Sequence, residues 1–320
     1  MEEQNANEQG KLKKTYLGYS SLRQVWRVIY PVLIFLAANI GVVFIISIAV
    51  GVVAVLRGAL AEEIPEQINT LINEHAMTIQ LVLEIILLAI FLPIWLKTRK
   101  RYRRYEEGRV EPATMFSVIG VAFGAYSIVV IAVGLVAPYF PSYESIEQAL
   151  TSGSLPMQLL AVGILAPIAE ELCFRGVILS RMENLKKWLA ILISAALFGL
   201  VHLNPLQSLY AGLTGILMGV IYIRFRSIWY AIAAHMTFNL TGVLLSTLTK
   251  DREELEWMAG LIILAGIVLF FVCGALLLKR PLPANPMPIS EMPKDNEPPL
   301  APPPPKPSIY DDSRFQSPWK

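Results

Sequence analysis

Residues 29–56 read IYPVLIFLAANIGVVFIISIAVGVVAVL, a run with no acidic or basic side chain. A hydrocarbon layer about 30 Å thick is crossed by about 20 helical residues rising 1.5 Å each. The run is therefore long enough to span a membrane, and it is not alone. Further apolar segments lie near Thr78–Leu96, Phe116–Val136, Trp188–His202, Ile228–Leu248 and Trp257–Leu278. Two more are interrupted: Pro156–Leu179 holds two adjacent glutamates, and Leu206–Ile223 is rich in glycine. The expectation is an all-α polytopic membrane protein with about eight transmembrane helices. Composition agrees, with 55% hydrophobic and 16% charged residues against about 45–50% and 25% in average globular chains. A soluble protein is excluded, as is disorder over most of the length.

The placement of basic residues orients the layout, because short cytoplasmic loops collect Lys and Arg. Lys11, Lys13, Lys14, Arg23 and Arg27 precede the first span, and the basic run KTRKRYRRY at 97–105 follows the second. Arg181, Lys186 and Lys187 follow the fourth, Arg224 and Arg226 the sixth, and Lys279 and Arg280 the eighth. The alternate loops hold only Arg57, Lys250 and Arg252, beside Glu62, Glu63, Glu66, Glu74, Glu144 and Glu147. Eight spans with both termini cytoplasmic satisfy every loop. The expected organisation is a cytoplasmic segment over 1–28, a membrane domain over 29–280, and a cytoplasmic tail over 281–320 that holds 13 of the 22 prolines and is expected to be disordered or polyproline II. No cleavable signal peptide is expected, since the first apolar run follows a polar leader and is too long for an h-region. The KTRKRYRRY cluster is expected to meet anionic lipid headgroups.

Ionisable groups inside apolar spans cost several kcal/mol unless paired or hydrated, so they mark candidate function. They are Glu84, Glu170, Glu171, Arg175, His202 and His235, with Asn239 close by. His75, in an acidic loop, reads as a solvated residue. Glu171 and Arg175 share a helix face at the favourable i,i+4 order for an ion pair, and Glu170, turned by about 100°, is free to face a cavity. His235 and Asn239 are four apart, as are Phe198 and His202. Three helices thus offer polar groups to a common interior. A carboxylate base for water and donors for a developing oxyanion are the requirements of peptide hydrolysis. Cys173 lacks a nearby histidine in sequence and reads as a buried thiol, and neither cysteine suggests a disulfide framework. Zinc is conceivable on Glu and His ligands, but the HExxH spacing is absent. Glu84 has no partner at helical spacing and reads as structural. A transporter is the competing class, disfavoured because the two halves show no internal repeat.

The strings EELCFRG (170–176), FGLVH (198–202) and HMTFN (235–239) resemble the three signature motifs of the CAAX prenyl endopeptidase type 2 family, also called the CAAX protease and bacteriocin-processing (CPBP) or Abi group. The resemblance covers residues 156–248, under a third of the chain, and all three motifs stand in order. It implies an intramembrane endopeptidase in which Glu170 activates the attacking water and His202 holds or polarises it. Glu171 would support the site through Arg175, with Phe198 as further structural support, and His235 with Asn239 would stabilise the oxyanion. No cofactor is implied on the metal-free account, which a His-paired glutamate in a poorly solvated cavity favours. On the metalloprotease account the zinc ligands would be Glu170, His202 and His235. Implied partners are membrane lipid and a peptide or protein substrate, a prenylated C-terminal tail being one candidate, and no nucleic acid. The expected location is the plasma membrane if the source is prokaryotic. A non-catalytic or bacteriocin-immunity-type protein on the same scaffold is the alternative.

One expectation conflicts with helix geometry. At 1.5 Å per residue, Glu170 lies about 21 Å from the outer start of its span and His235 about 10 Å from the inner start of its own, whereas His202 comes out about 21 Å from the inner start. A shared site near the cytoplasmic half then needs the fifth span to tilt strongly or to begin deeper than Trp188, with MENLKKW along the interface. The second arrangement is expected.

Overall fold

The computed structural model describes residues 21–101, 109–144, 148, 153–182, 185–250 and 252–281. Most of residues 1–28, expected to be cytoplasmic, residues 102–105 of the basic cluster and almost all of the Pro-rich tail lie outside these residues. The described chain is helical: α1 Ser21–Leu56, α2 Ile64–Glu74, α3 Ala76–Arg101, α4 Pro112–Val136, α5 Leu155–Met182, α6 Lys187–Leu200, α7 Pro205–Phe225, α8 Ile228–Thr249 and α9 Glu256–Lys279. Seven are long and apolar enough to cross a membrane, and α6, with 14 residues, is a shorter apolar helix. The chain is an integral, multi-pass membrane protein.

Helix α5 forms the centre, with α1, α3, α6 and α8 packed around it. It is not a uniform helix. α-Helical Ala166–Glu171 is flanked by π-helical Leu159–Leu165 and Leu172–Leu179. Such wide turns concentrate at functional sites. Each π stretch contains a glycine at a close crossing: a Cβ on Gly163 would meet Leu240 of α8, and one on Gly176 would meet Trp95 of α3.

Apolar burial does not drive helix association in lipid, so close packing of small residues must contribute. Gly120 and Gly124 of α4 lie where a Cβ would collide with Cys273 and with the Gly266 carbonyl and Phe270 of α9. Gly215 and Gly219 of α7 face Ala195, Phe198 and Ile191 of α6. Outward, α1 presents Phe44 and Ile45 and α9 presents Val268 and Phe271, all exposed, as a lipid-facing surface requires.

The start of α6 departs from expectation. Lys187 and Trp188 are already helical, so the helix does not begin deeper. It ends early instead: at 14 residues it is about 21 Å long, too short to cross the hydrocarbon. The chain turns back through Leu203, which adopts a left-handed conformation with φ 57°, and enters α7 at Asn204. The Asn204 side chain caps that helix by accepting from the Gln207 N–H, with Pro205 in the first turn, a favoured start for a helix. His202 sits in this turn.

Candidate active site

The Glu171 carboxylate is fully buried, and its Oε1 accepts two hydrogen bonds, from Arg175 Nη1 at 2.7 Å and from His235 Nδ1 at 2.8 Å. The intrahelical pair expected from spacing is therefore present, together with an interhelical partner that spacing within α5 does not reveal. Arg175 is held further by the Gly215 carbonyl, which accepts from Nη2 at 2.9 Å, and by the Phe198 ring 4.7 Å below its guanidinium. Both helices that supply these contacts, α6 and α7, pack on one another through the small residues described above.

His235 joins the two glutamates. Its Nδ1 donates to Glu171, and its Nε2 lies 3.5 Å from Glu170 Oε2. Because the carboxylate can only accept from Nδ1, that nitrogen carries a proton. Glu171 thus stands to His235 as an orienting carboxylate, the arrangement that fixes an imidazole in serine hydrolases. The sequence-level assignment of Glu171 as acting through Arg175 is incomplete, since its contact to His235 is direct.

His202 has a fixed tautomer for a similar reason. Its Nδ1 donates to the Phe198 carbonyl at 2.8 Å, so in the neutral ring Nε2 is left as an acceptor. The Phe198 ring lies edge-on between the two imidazoles, with its centroid 5.0 Å from that of His202 and 5.6 Å from that of His235. Asn239 spends one amide hydrogen on the Val162 carbonyl at 2.9 Å. That carbonyl lies in the first π stretch of α5, so the wide turn presents an acceptor to α8.

These groups border one cavity of about 670 Å³, large enough for a small-molecule or peptide-sized ligand. Glu170, His202, His235, Asn239 and Phe198 all line it, whereas Glu171 and Arg175 do not. The wall also includes residues that sequence reasoning left out or set aside. Glu84 is buried in α3, with Oε1 accepting from Gln80 at 2.6 Å and Oε2 without a hydrogen-bond partner among the described residues. Gln207 and Tyr210 line it from the first turns of α7 and Tyr143 from the α4–α5 connection. The apolar context of the α3 glutamate was its one signal. Gln207 and Tyr210 carried none, because polar residues at a helix start read equally well as capping.

The cavity extends from mid-span towards one end of the bundle. Glu170 stands just past the middle of the 28-residue span Leu155–Met182. From there the lining runs to Ala137 beyond α4, Tyr143, Gln207 and Ser246 near the end of α8, which is the end bearing the sparse-basic loops. Measured from the basic end, Glu170 lies about 18 Å from Met182 and His202 follows an α6 about 21 Å long, so these two residues agree in depth without a deeper helix start.

Among the described residues no three His, Cys, Asp or Glu side chains are grouped to hold a metal ion, and His235 has both nitrogens facing carboxylates. Cys173 is buried in the core cluster, and both Cys173 and Cys273 are free.

Residues 152–241 match the family described as Rce1-like, type II CAAX prenyl endopeptidase. Over 104 residues the chain is 33% identical to YdiL of Bacillus subtilis (strain 168), a protein whose name provisionally assigns it as a membrane peptidase; the similarity covers 32% of this chain and 42% of that protein. The chain thus spans less than half the length of this relative. No solved structure matches.

Proposed function

We propose that the protein is an intramembrane peptidase that hydrolyses a peptide bond with a water activated by Glu170, a reading supported by the similarity of its residues 152–241 to the type II CAAX prenyl endopeptidases. The observation that carries this reading is the chain of contacts Glu170–His235–Glu171–Arg175, one end of which lines the cavity while the other is sealed in the core. When His235 carries a proton on each nitrogen, the two carboxylates and two cations sum to zero charge. Glu170 is then an anionic base, and the His235 Nε2–H is a donor beside it.

The mechanism follows from these roles. A water held between the Glu170 carboxylate and the His202 Nε2 acceptor gives a proton to Glu170, and its oxygen attacks the scissile carbonyl. The oxyanion receives hydrogen bonds from the His235 Nε2–H and from the second amide hydrogen of Asn239, the first being held by Val162. Donors fixed in a poorly hydrated cavity stabilise developing charge without reorganising. Glu170 next returns its proton to the leaving amine, which closes the cycle with the water oxygen in the new carboxyl group. No step passes through a metal ion.

The test is direct. Purified full-length protein in phospholipid vesicles is incubated with a proteome-derived peptide library, and new termini are mapped by mass spectrometry. Cleavage that persists in chelator and disappears in Glu170→Gln is expected. Cleavage that survives Glu170→Gln overturns the assignment of the base, and cleavage abolished by chelator overturns the metal-free mechanism. Absence of cleavage by the parent protein favours a non-catalytic role on this scaffold.

A further inference from the structure

The two ends of the helix bundle differ in charge, and hydrogen bonds tie each end together. At one end, Arg181 donates to the Arg27 carbonyl at 2.7 Å and to the Thr98 hydroxyl at 3.2 Å, uniting the start of α1 with the ends of α3 and α5. Arg224 donates to the Leu277 and Leu278 carbonyls at 3.0 and 3.1 Å, joining the ends of α7 and α9. The Tyr230 hydroxyl accepts from the Glu111 N–H at 2.7 Å, which adds the starts of α4 and α8. Lys97, Arg99, Lys186 and Arg280 lie at this same end. At the opposite end the described basic residues are Arg57, Lys250 and Arg252, in loops that also carry Glu62, Glu66, Glu74 and Glu144.

The cavity belongs to the second end. Beyond Glu170 and His235 its lining continues to Ala137, Tyr143, Gln207 and Ser246, and takes in no residue of the basic termini. Below Glu170 towards the basic end, Phe174, Val177, Ile178 and Leu179 are fully buried in the core cluster. That side is closed. Because basic residues flank the cytoplasmic ends of membrane helices, the open side faces away from the cytoplasm.

We propose that the cavity receives its substrate from the extracytoplasmic side, so that the peptide cleaved is an extracytoplasmic or juxtamembrane segment of an exported or membrane protein. The substrate part rests on the peptidase reading above; the orientation does not. A lipidated tail held at the cytoplasmic leaflet would meet the closed, basic end and would have no path to Glu170. On the side of this approach Tyr143, Tyr210 and Gln207, which can hydrogen-bond a peptide backbone, line the cavity.

The experiment reads orientation without requiring catalysis. Ser246→Cys and Gln207→Cys report the cavity mouth, and Leu185→Cys, exposed between α5 and α6, reports the basic end. Each is made in the full-length chain, alone and with Glu170→Gln, and intact cells are treated with a membrane-impermeant maleimide; the parent chain gives the background from its own cysteines. The expected result is labelling of the mouth cysteines in intact cells with no further gain on permeabilisation, and labelling at Leu185→Cys only after permeabilisation. The reversed pattern, or mouth cysteines labelled only after permeabilisation, overturns the proposal. Labelling in the expected pattern by a protein that cleaves nothing would leave the orientation standing and remove the peptidase reading.

Discussion

Helices α1 and α5 are both long enough to cross a membrane, and they solve opposite problems. The most apolar window of α1 has a mean hydropathy of 2.7 and only 11% of it is buried within the protein; for α5 the values are 1.6 and 56%. The more hydrophobic helix is the more exposed one because lipid, not a protein core, is its solvent. The less hydrophobic helix can carry Glu170, Glu171 and Arg175 because its neighbours pair them. In a bilayer, then, apolarity identifies the periphery and polarity the interior, the inverse of the rule for soluble proteins.

Substitutions that separate interior from periphery test this contrast. The largest effect is expected for Glu170→Gln, which keeps the shape of the side chain but removes the base. Hydrolysis should fall by about 10²- to 10⁴-fold, with unchanged thermal unfolding of the reconstituted protein. Arg175→Met should act on stability. It leaves the Glu171 carboxylate buried without its cation, a change that typically costs about 3–5 kcal/mol, read as loss of folded protein in a denaturant titration. Adding Glu171→Leu should restore most of that stability without restoring activity, because His235 then loses its orienting partner. At the α4–α9 crossing, Gly124→Val should cost about 1–3 kcal/mol by overpacking, through its collision with Gly266 and Phe270. The smallest effect is expected for Val268→Ala on the lipid face of α9, within about 0.5 kcal/mol and with full activity. If Val268→Ala were as damaging as Arg175→Met, the division between periphery and interior would fail.

The spans were legible because each helix must satisfy the bilayer by itself: the α7 and α8 boundaries differ from the sequence reading by only a residue or two. The Glu171–Arg175 pair was legible for the same reason, being fixed by the pitch of a single helix. Contacts between helices were not, since spacing along α8 says nothing about its rotation against α5. That is why the bridging of both glutamates by His235 and the use of Asn239 on the Val162 carbonyl emerge only in three dimensions. Length misled at α6. Its apolar run continues through Val201, but the left-handed turn at Leu203 requires the helix to end first. Glu84 was set aside because it lacks a partner along its own helix; its position in the cavity wall depends on α5 and α8, which lie far away in the chain.

The π stretches on either side of Ala166–Glu171 bear on how such chains tolerate changes in length. A wide turn holds one residue more than the α-helical path needs. Deleting one position within Leu159–Leu165 would tighten that turn towards the α-helical path and leave the Leu155 end in register, while Glu170, Glu171 and Arg175 kept their partners on α7 and α8. In an ordinary helix the same deletion would rotate the Leu155 end by about 100° relative to Glu170. The segment is therefore a place where relatives of different length can share one active-site geometry, and where a gap in an alignment marks a change of turn width and not a missing piece of the helix.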